Sequence, residues 1–273
     1  SFGNWLEDNA RQAQVYTEKA GVNAIVLDST DDYAGLLGNL AFSLSLYSGQ
    51  MCTTPQNLFV PAGGIGTDQG PKPVAEFAAD LGAAVDRLLG EDAKAVELLG
   101  AIVNDDVLRR LEAAPSRGEV VVPSRTVKHP TFPDATVRTP TVVAVDVADV
   151  PAYGQECFGP VAFLISTGST AESIEAFRST VDTHGALTAA VYSTDAGVLA
   201  QVRDAALDAG VALSENLTGG VFVNQSAAFS DFHATGANPA ANASYTDGAF
   251  VAGRFRVIQS RRHLPAPAAP AGS

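Results

Sequence analysis

Between residues 141 and 224 the chain alternates β-branched runs with helix-patterned runs, and this alternation restricts the fold more than any other feature. Residues 141–147 and 161–165 read as strands buried on both faces. Residues 171–181 then read as a helix, 187–192 as a strand, 196–209 as a helix and 221–224 as a strand. Strands separated by helices cannot pair as hairpins, so they enter a parallel sheet whose faces the helices cover. The expected class is α/β, with a mostly parallel sheet flanked by helices.

The first half fits such a domain less regularly. Residues 2–13 carry Trp5, Leu6 and Ala10 among Glu7, Asp8 and Arg11, the spacing of an amphipathic helix that packs on one face. Residues 15–18 and 22–27 read as short strands divided by Lys19-Ala20-Gly21, which sets Glu18 at a strand end beside a turn. A helix capped within Ser29-Thr30-Asp31-Asp32 runs to about Tyr47, apolar nearly all round, and Gly49 ends it. Further helices are predicted over 74–89, 92–99 and 105–113, the last capped by Asn104, and a strand begins at Val120. Prolines at 123, 130, 133 and 140 keep much of 123–140 irregular. The glycines of 61–71 lack the spacing of a dinucleotide fingerprint. Residues 236–242 read as an ordered surface loop without a core pattern. A last strand is expected over 254–258, followed by a disordered Ala/Pro tail.

Composition narrows the function. With 273 residues, 46% apolar and 17% charged, the chain can bury a core of ordinary size. A formal charge of −13 opposes a phosphate-backbone partner, so nucleic acid is not expected. No apolar run reaches the ~18 residues of a membrane span, and the N-terminus shows no export signal, so the expected setting is cytoplasmic. The histidines at 129, 184, 233 and 263 lack metal-ligand spacing, and no metal is expected. The chain opens at Ser1 in the middle of a helical pattern, which suggests part of a longer protein.

Chemistry centres on Tyr47-Ser48-Gly49-Gln50-Met51-Cys52-Thr53-Thr54-Pro55-Gln56. Cys52 lies on a turn between a helix and a strand, among small polar neighbours rather than an apolar shell, so its reactivity outweighs its packing. Two further stretches stand in order around it: Glu18-Lys19-Ala20-Gly21-Val22-Asn23, and Glu156-Cys157-Phe158-Gly159-Pro160-Val161. Cys157 reads as a core hydrophobe.

With these stretches together, the sequence resembles the aldehyde dehydrogenase superfamily. The first resembles that family's Glu-Leu-Gly-Gly-Lys motif, Gly49-Gln50-Met51-Cys52 its Gly-Gln-x-Cys nucleophile motif, and the third its Glu-Ile-Phe-Gly-Pro-Val motif. The resemblance implies a catalytic domain over 18–250, preceded by the end of a cofactor-binding domain over 1–17 and followed by an oligomerisation strand over 251–262 and the tail at 263–273. It implies Cys52 as nucleophile, Glu18 as general base, Glu156 and Phe158 as cofactor contacts, NADP or NAD as cofactor, and a homo-oligomer acting on a small-molecule aldehyde. The variant Glu18–Asn23 stretch, the insertion between Pro61 and Ala101 and Phe232-His233-Ala234-Thr235-Gly236-Ala237-Asn238-Pro239 look most like the phenylacetic-acid-degradation branch, which implies a ring-opened semialdehyde carried as a CoA thioester. Two readings compete: a folded fragment without redox chemistry, and a cysteine-dependent thioester hydrolase. Release of the acyl group to CoA rather than water also stays open.

Overall fold

The computed structural model describes residues 2–13, 15–224 and 238–240, and the backbone of 260–262. The strands are β1 (Ala24–Leu27), β2 (Ser29–Thr30), β3 (Asn57–Pro61), β4 (Gly66–Thr67), β5 (Glu119–Val122), β6 (Thr126–Val127), β7 (Val137–Arg138), β8 (Thr141–Asp146), β9 (Val161–Thr167), β10 (Ala189–Tyr192), β11 (Leu213–Glu215) and β12 (Ser260–Arg262). The helices are α1 (Phe2–Asn9), α2 (Tyr33–Ser45), α3 (Val74–Leu89), α4 (Asp92–Leu98), α5 (Asp105–Ala113), α6 (Val150–Tyr153), α7 (Thr170–His184) and α8 (Ala196–Ala209).

The main sheet runs β12-β11-β10-β1-β3-β9-β8-β5, and every pairing is parallel except that of the edge strand β5 with β8. Successive residues of a strand point to opposite faces, and the core divides accordingly. Ile25, Leu27, Leu58, Val60 and Leu164 pack with α2 and α3, whereas Val26, Phe59, Phe163, Ile165 and Val191 pack with α7 and α8. Side-chain caps start α2, α5, α7 and α8: Asp32 accepts from Gly35 N, Asn104 from Asp106 N, Ser169 from Glu172 N, and Asp195 from Gly197 N and Val198 N.

At the carboxyl rim Asp28 ties three connections together. Its carboxylate accepts from Ser29 Oγ at 2.9 Å, Ser193 Oγ at 2.7 Å and Thr170 Oγ1 at 2.7 Å. This rim is therefore laced shut by short hydroxyl contacts.

Several sequence expectations need correction. Residues 15–18 form no strand; Glu18 makes an isolated β-bridge in an otherwise irregular approach to β1. α1 buries none of its residues in the described structure; Phe2 and Trp5 stack on each other while exposed. Residues 221–224 do not join the sheet. They pack on α2, where Asn39 Nδ2 donates to Val221 O at 2.6 Å, Phe222 stacks on Phe42, and Asn224 Nδ2 donates to Ser43 O at 3.2 Å. The strand position falls to β11, whose buried Glu215 receives a bidentate contact from Arg203 on α8 at 2.7 and 2.6 Å. The strand expected over 254–258 and the tail at 263–273 lie outside the described residues.

Candidate active site

Three connections lead into three neighbouring parallel strands. Residues 15–23 enter β1, residues 50–56 enter β3, and residues 154–160 enter β9; Ala24 pairs with Asn57, and Asn57 with Phe163. The three sequence motifs therefore meet at the amino ends of adjacent strands, although most are far apart in sequence. Open α/β sheets more often place ligands at the carboxyl ends, which Asp28 and its partners occupy here.

Buried side-chain amides fix the connections to one another. Asn23 Nδ2 donates to Cys52 O at 2.7 Å and Thr54 O at 2.9 Å, while its Oδ1 accepts from Leu187 N at 2.9 Å and Thr188 N at 3.1 Å. Its backbone carbonyl accepts from Gln56 N and Asn57 N. Gln56 carries the link onward: Nε2 donates to Tyr153 O and Gln155 O at 3.1 Å each, and Oε1 accepts from Cys157 N at 2.6 Å. From the other side, Arg110 Nε on α5 donates to Phe158 O at 3.0 Å. Sequence reading missed Asn23 and Gln56 as positioning groups, although each closes one of the motif stretches.

The turn before Cys52 has unusual backbone geometry. Tyr47, Ser48 and Gly49 are consecutively left-handed, with φ of 54°, 54° and 65°. For the first two residues this costs energy, and Ser48 Oγ offsets it by donating to Gly100 O at 2.9 Å and Arg138 O at 3.1 Å. Gly49 lies flat against the third motif, since a Cβ there would stand 2.3 Å from Gly159 O. The glycines of two motifs thus touch backbone to backbone.

Cys52 is exposed as a residue, yet enough protein surrounds its sulfur that burial is the main influence raising the thiol pKa. The negative charge of Glu18 raises it further and that of Glu156 adds to this, while the N–H groups of Cys52 and Thr53 pull it down. Glu18 is exposed, its charge felt at this thiol, and Glu156 is half-buried. Burial pushes the Glu156 carboxyl up, opposed by the Gly21 N–H at 3.4 Å and by the charge of Arg110. Phe158 is half-buried, and Cys157 is buried in the core under α7, its thiol also raised by burial. Residues 238–240 brace the first connection: Lys19 N donates to Ala240 O at 2.6 Å, and Asn238 Nδ2 donates to Ala186 O and Gly210 O at 2.9 Å each. Among the described residues no group of His, Cys, Asp and Glu could hold a metal ion, and no helix is long and apolar enough to cross a membrane.

A cysteine, two carboxylates and a half-buried aromatic ring come together at one rim of a parallel α/β sheet as a candidate thiol-based site. The sequence matches the aldehyde dehydrogenase family over residues 4–238, and the chain belongs to that family. The crystal structure of an NAD-dependent aldehyde dehydrogenase from Burkholderia multivorans is 58% identical, with a TM-score of 0.88 over 93% of this chain and 46% of that one. A 1-pyrroline-5-carboxylate dehydrogenase from Thermus with bound NAD is 22% identical, with a TM-score of 0.58 over 89% of this chain and 44% of that one. A glyceraldehyde-3-phosphate dehydrogenase from Methanocaldococcus jannaschii complexed with NADP is 16% identical, with a TM-score of 0.58 over 80% of this chain and 44% of that one. The chain spans about half the length of these structures. No curated protein matches it.

Proposed function

We propose that this chain is the catalytic portion of an NAD(P)-dependent aldehyde dehydrogenase, with Cys52 as nucleophile and Glu18 as general base. The supporting observation is that Cys52, Glu18 and Glu156 share one rim and influence one thiol. The donor set suits the nicotinamide end of a dinucleotide: Glu156 offers a half-buried carboxylate that can accept from a ribose diol, and Phe158 an apolar surface beside it. When bound, the nicotinamide supplies the hydride acceptor.

The chain's own residues do the rest. Because the Cys52 thiol is raised, it rests protonated, and Glu18 is the adjacent carboxylate able to take its proton. The thiolate adds to the aldehyde carbon, a C–S bond forms, and the carbonyl π electrons move to oxygen as an oxyanion, which the N–H groups beside the sulfur can reach. Loss of hydride from that carbon leaves a thioester on Cys52. Glu18, exposed to solvent, gives up the thiol proton to bulk water and is again a carboxylate; it then removes a proton from the water that attacks the thioester, the C–S bond breaks with Cys52 leaving as thiolate, and the carboxylic acid departs.

The finer reading is a ring-opened semialdehyde, carried as a CoA thioester and drawn from phenylacetate degradation, with hydrolytic release, in a cytoplasmic homo-oligomer whose contact strand falls in 251–262. The motif variants at Glu18–Asn23 and 232–239 support it. The domain divisions at 17/18 and 250/251 belong to the same proposal. In the full-length enzyme, Cys52→Ala should lower aldehyde-dependent NAD(P)H formation roughly 10³-fold or more, whereas Cys157→Ala should retain it. Ester hydrolysis that depends on Cys52, without any NAD(P)H formation by the unaltered protein, would favour a thioester hydrolase instead.

A further inference from the structure

We infer that Gln56 is the positioning residue for Glu156, and that it couples the nucleophile loop to the cofactor edge. The inference rests on the dehydrogenase reading above and adds a residue to its machinery. Gln56 is only 6% exposed, and its amide grips both peptide groups that flank Glu156: it donates to Gln155 O and accepts from Cys157 N at 2.6 Å. A further contact from Nε2, to Tyr153 O, holds the end of α6, from which the Glu156 loop departs.

The same residue is anchored in the nucleophile segment by its main chain. Gln56 N donates to Asn23 O, and Gln56 O accepts from Phe163 N in β9. The Cys52 loop hangs from the Asn23 amide, so a single covalent residue spans the distance between the cysteine loop and the carboxylate loop. The Gln56 amide spends its hydrogen bonds on Asn57 Oδ1, Tyr153 O, Gln155 O and Cys157 N. It thereby fixes where the Glu156 main chain runs, and a carboxylate that accepts from a ribose diol needs that backbone held to a fraction of an ångström.

A merely structural amide would, on removal, loosen both loops together. A positioning amide for Glu156 would loosen one. The experiment separates these in the full-length enzyme with Gln56→Leu, which keeps the volume and removes every side-chain hydrogen bond. NAD and NADP binding is read by titration calorimetry, and Cys52 alkylation by iodoacetamide is read without cofactor. The expected result is a dissociation constant at least tenfold weaker for the preferred cofactor, with the alkylation rate within twofold of the unaltered enzyme. In turnover, the KM for cofactor rises while the KM for aldehyde holds. Cofactor affinity within twofold of the unaltered enzyme, or alkylation slowed in the same proportion as binding, overturns the inference.

Gln56→Glu retains an acceptor for Cys157 N and loses the donors, and gives the same comparison should the leucine variant fail to fold. An unaltered enzyme that binds neither NAD nor NADP refutes the dehydrogenase reading and this inference with it. An enzyme that binds and oxidises normally but ignores Gln56 refutes the inference alone.

Discussion

Replacing Asn23 with leucine removes one amide and disturbs two elements. The side chain satisfies Cys52 O, Thr54 O, Leu187 N and Thr188 N at 2.7–3.1 Å while itself 3% exposed. The two carbonyls lie on the exposed nucleophile turn and can swing toward water. The N–H groups of Leu187 and Thr188 lie in buried residues at the entry to β10 and cannot. Each orphaned buried donor costs about 1–3 kcal/mol, and the leucine recovers about 1 kcal/mol of apolar burial, so Asn23→Leu should lose about 1–5 kcal/mol of stability. Urea unfolding gives that figure from the midpoint and slope. Iodoacetamide labelling of Cys52 in the folded variant should approach the rate of a thiol in an unstructured peptide, because the turn that carries it has lost its tether. A stability loss below about 1 kcal/mol together with an unchanged labelling rate would refute the argument that Asn23 holds the nucleophile.

Further outcomes follow from the same geometry. Gly49→Ala sets a Cβ against Gly159 O in a left-handed residue, and should cost about 2 kcal/mol or more and halt Cys52-dependent turnover; thermal unfolding with an activity assay checks both, and a neutral result would mean that the two motif backbones separate easily. In Glu18→Gln the negative charge that helps raise the Cys52 thiol is gone, so the pH midpoint of alkylation should move down and labelling at a fixed pH below that midpoint should quicken, as pH-dependent mass spectrometry would show; an unmoved midpoint would place Glu18 out of range of the sulfur. The same variant should release the acyl group slowly, visible as a covalent thioester that accumulates on Cys52.

Much of the fold is legible in the chain because it depends on local rules. Residues 74–89 and 196–209 form helices over the predicted spans, and the caps at Asn104 and in 29–32 act as their side chains dictate. The displaced last strand shows where pattern fails. Residues 221–224 are apolar enough for a sheet, yet Val221 is exposed and Phe222 finds Phe42 on α2; Leu213–Glu215 carries a serine and a carboxylate, yet it is buried because Arg203 reaches Glu215. Tertiary partners decided both cases. At the site, Cys52, Glu18, Glu156 and Phe158 can be picked out by residue type and motif. Asn23 and Gln56 cannot, because their role lies in distant backbone groups, such as Leu187 N and Cys157 N, that share no local pattern with them.

The placement of all three motifs at the amino ends of β1, β3 and β9 has a consequence for how chains of this kind can change length. Each motif is joined to its strand by a spacer of fixed register, so an added residue between Cys52 and Asn57, or between Glu156 and Val161, would shift a whole strand against its neighbours. At the opposite rim the described contacts, among them Asp28 with its hydroxyl partners and Asn216 with Ser193, tie connections together without setting the register of these motifs. Exposed turns there, such as Ala62-Gly63 after β3, are where inserted segments or fused domains can be accommodated with the motif-bearing rim undisturbed.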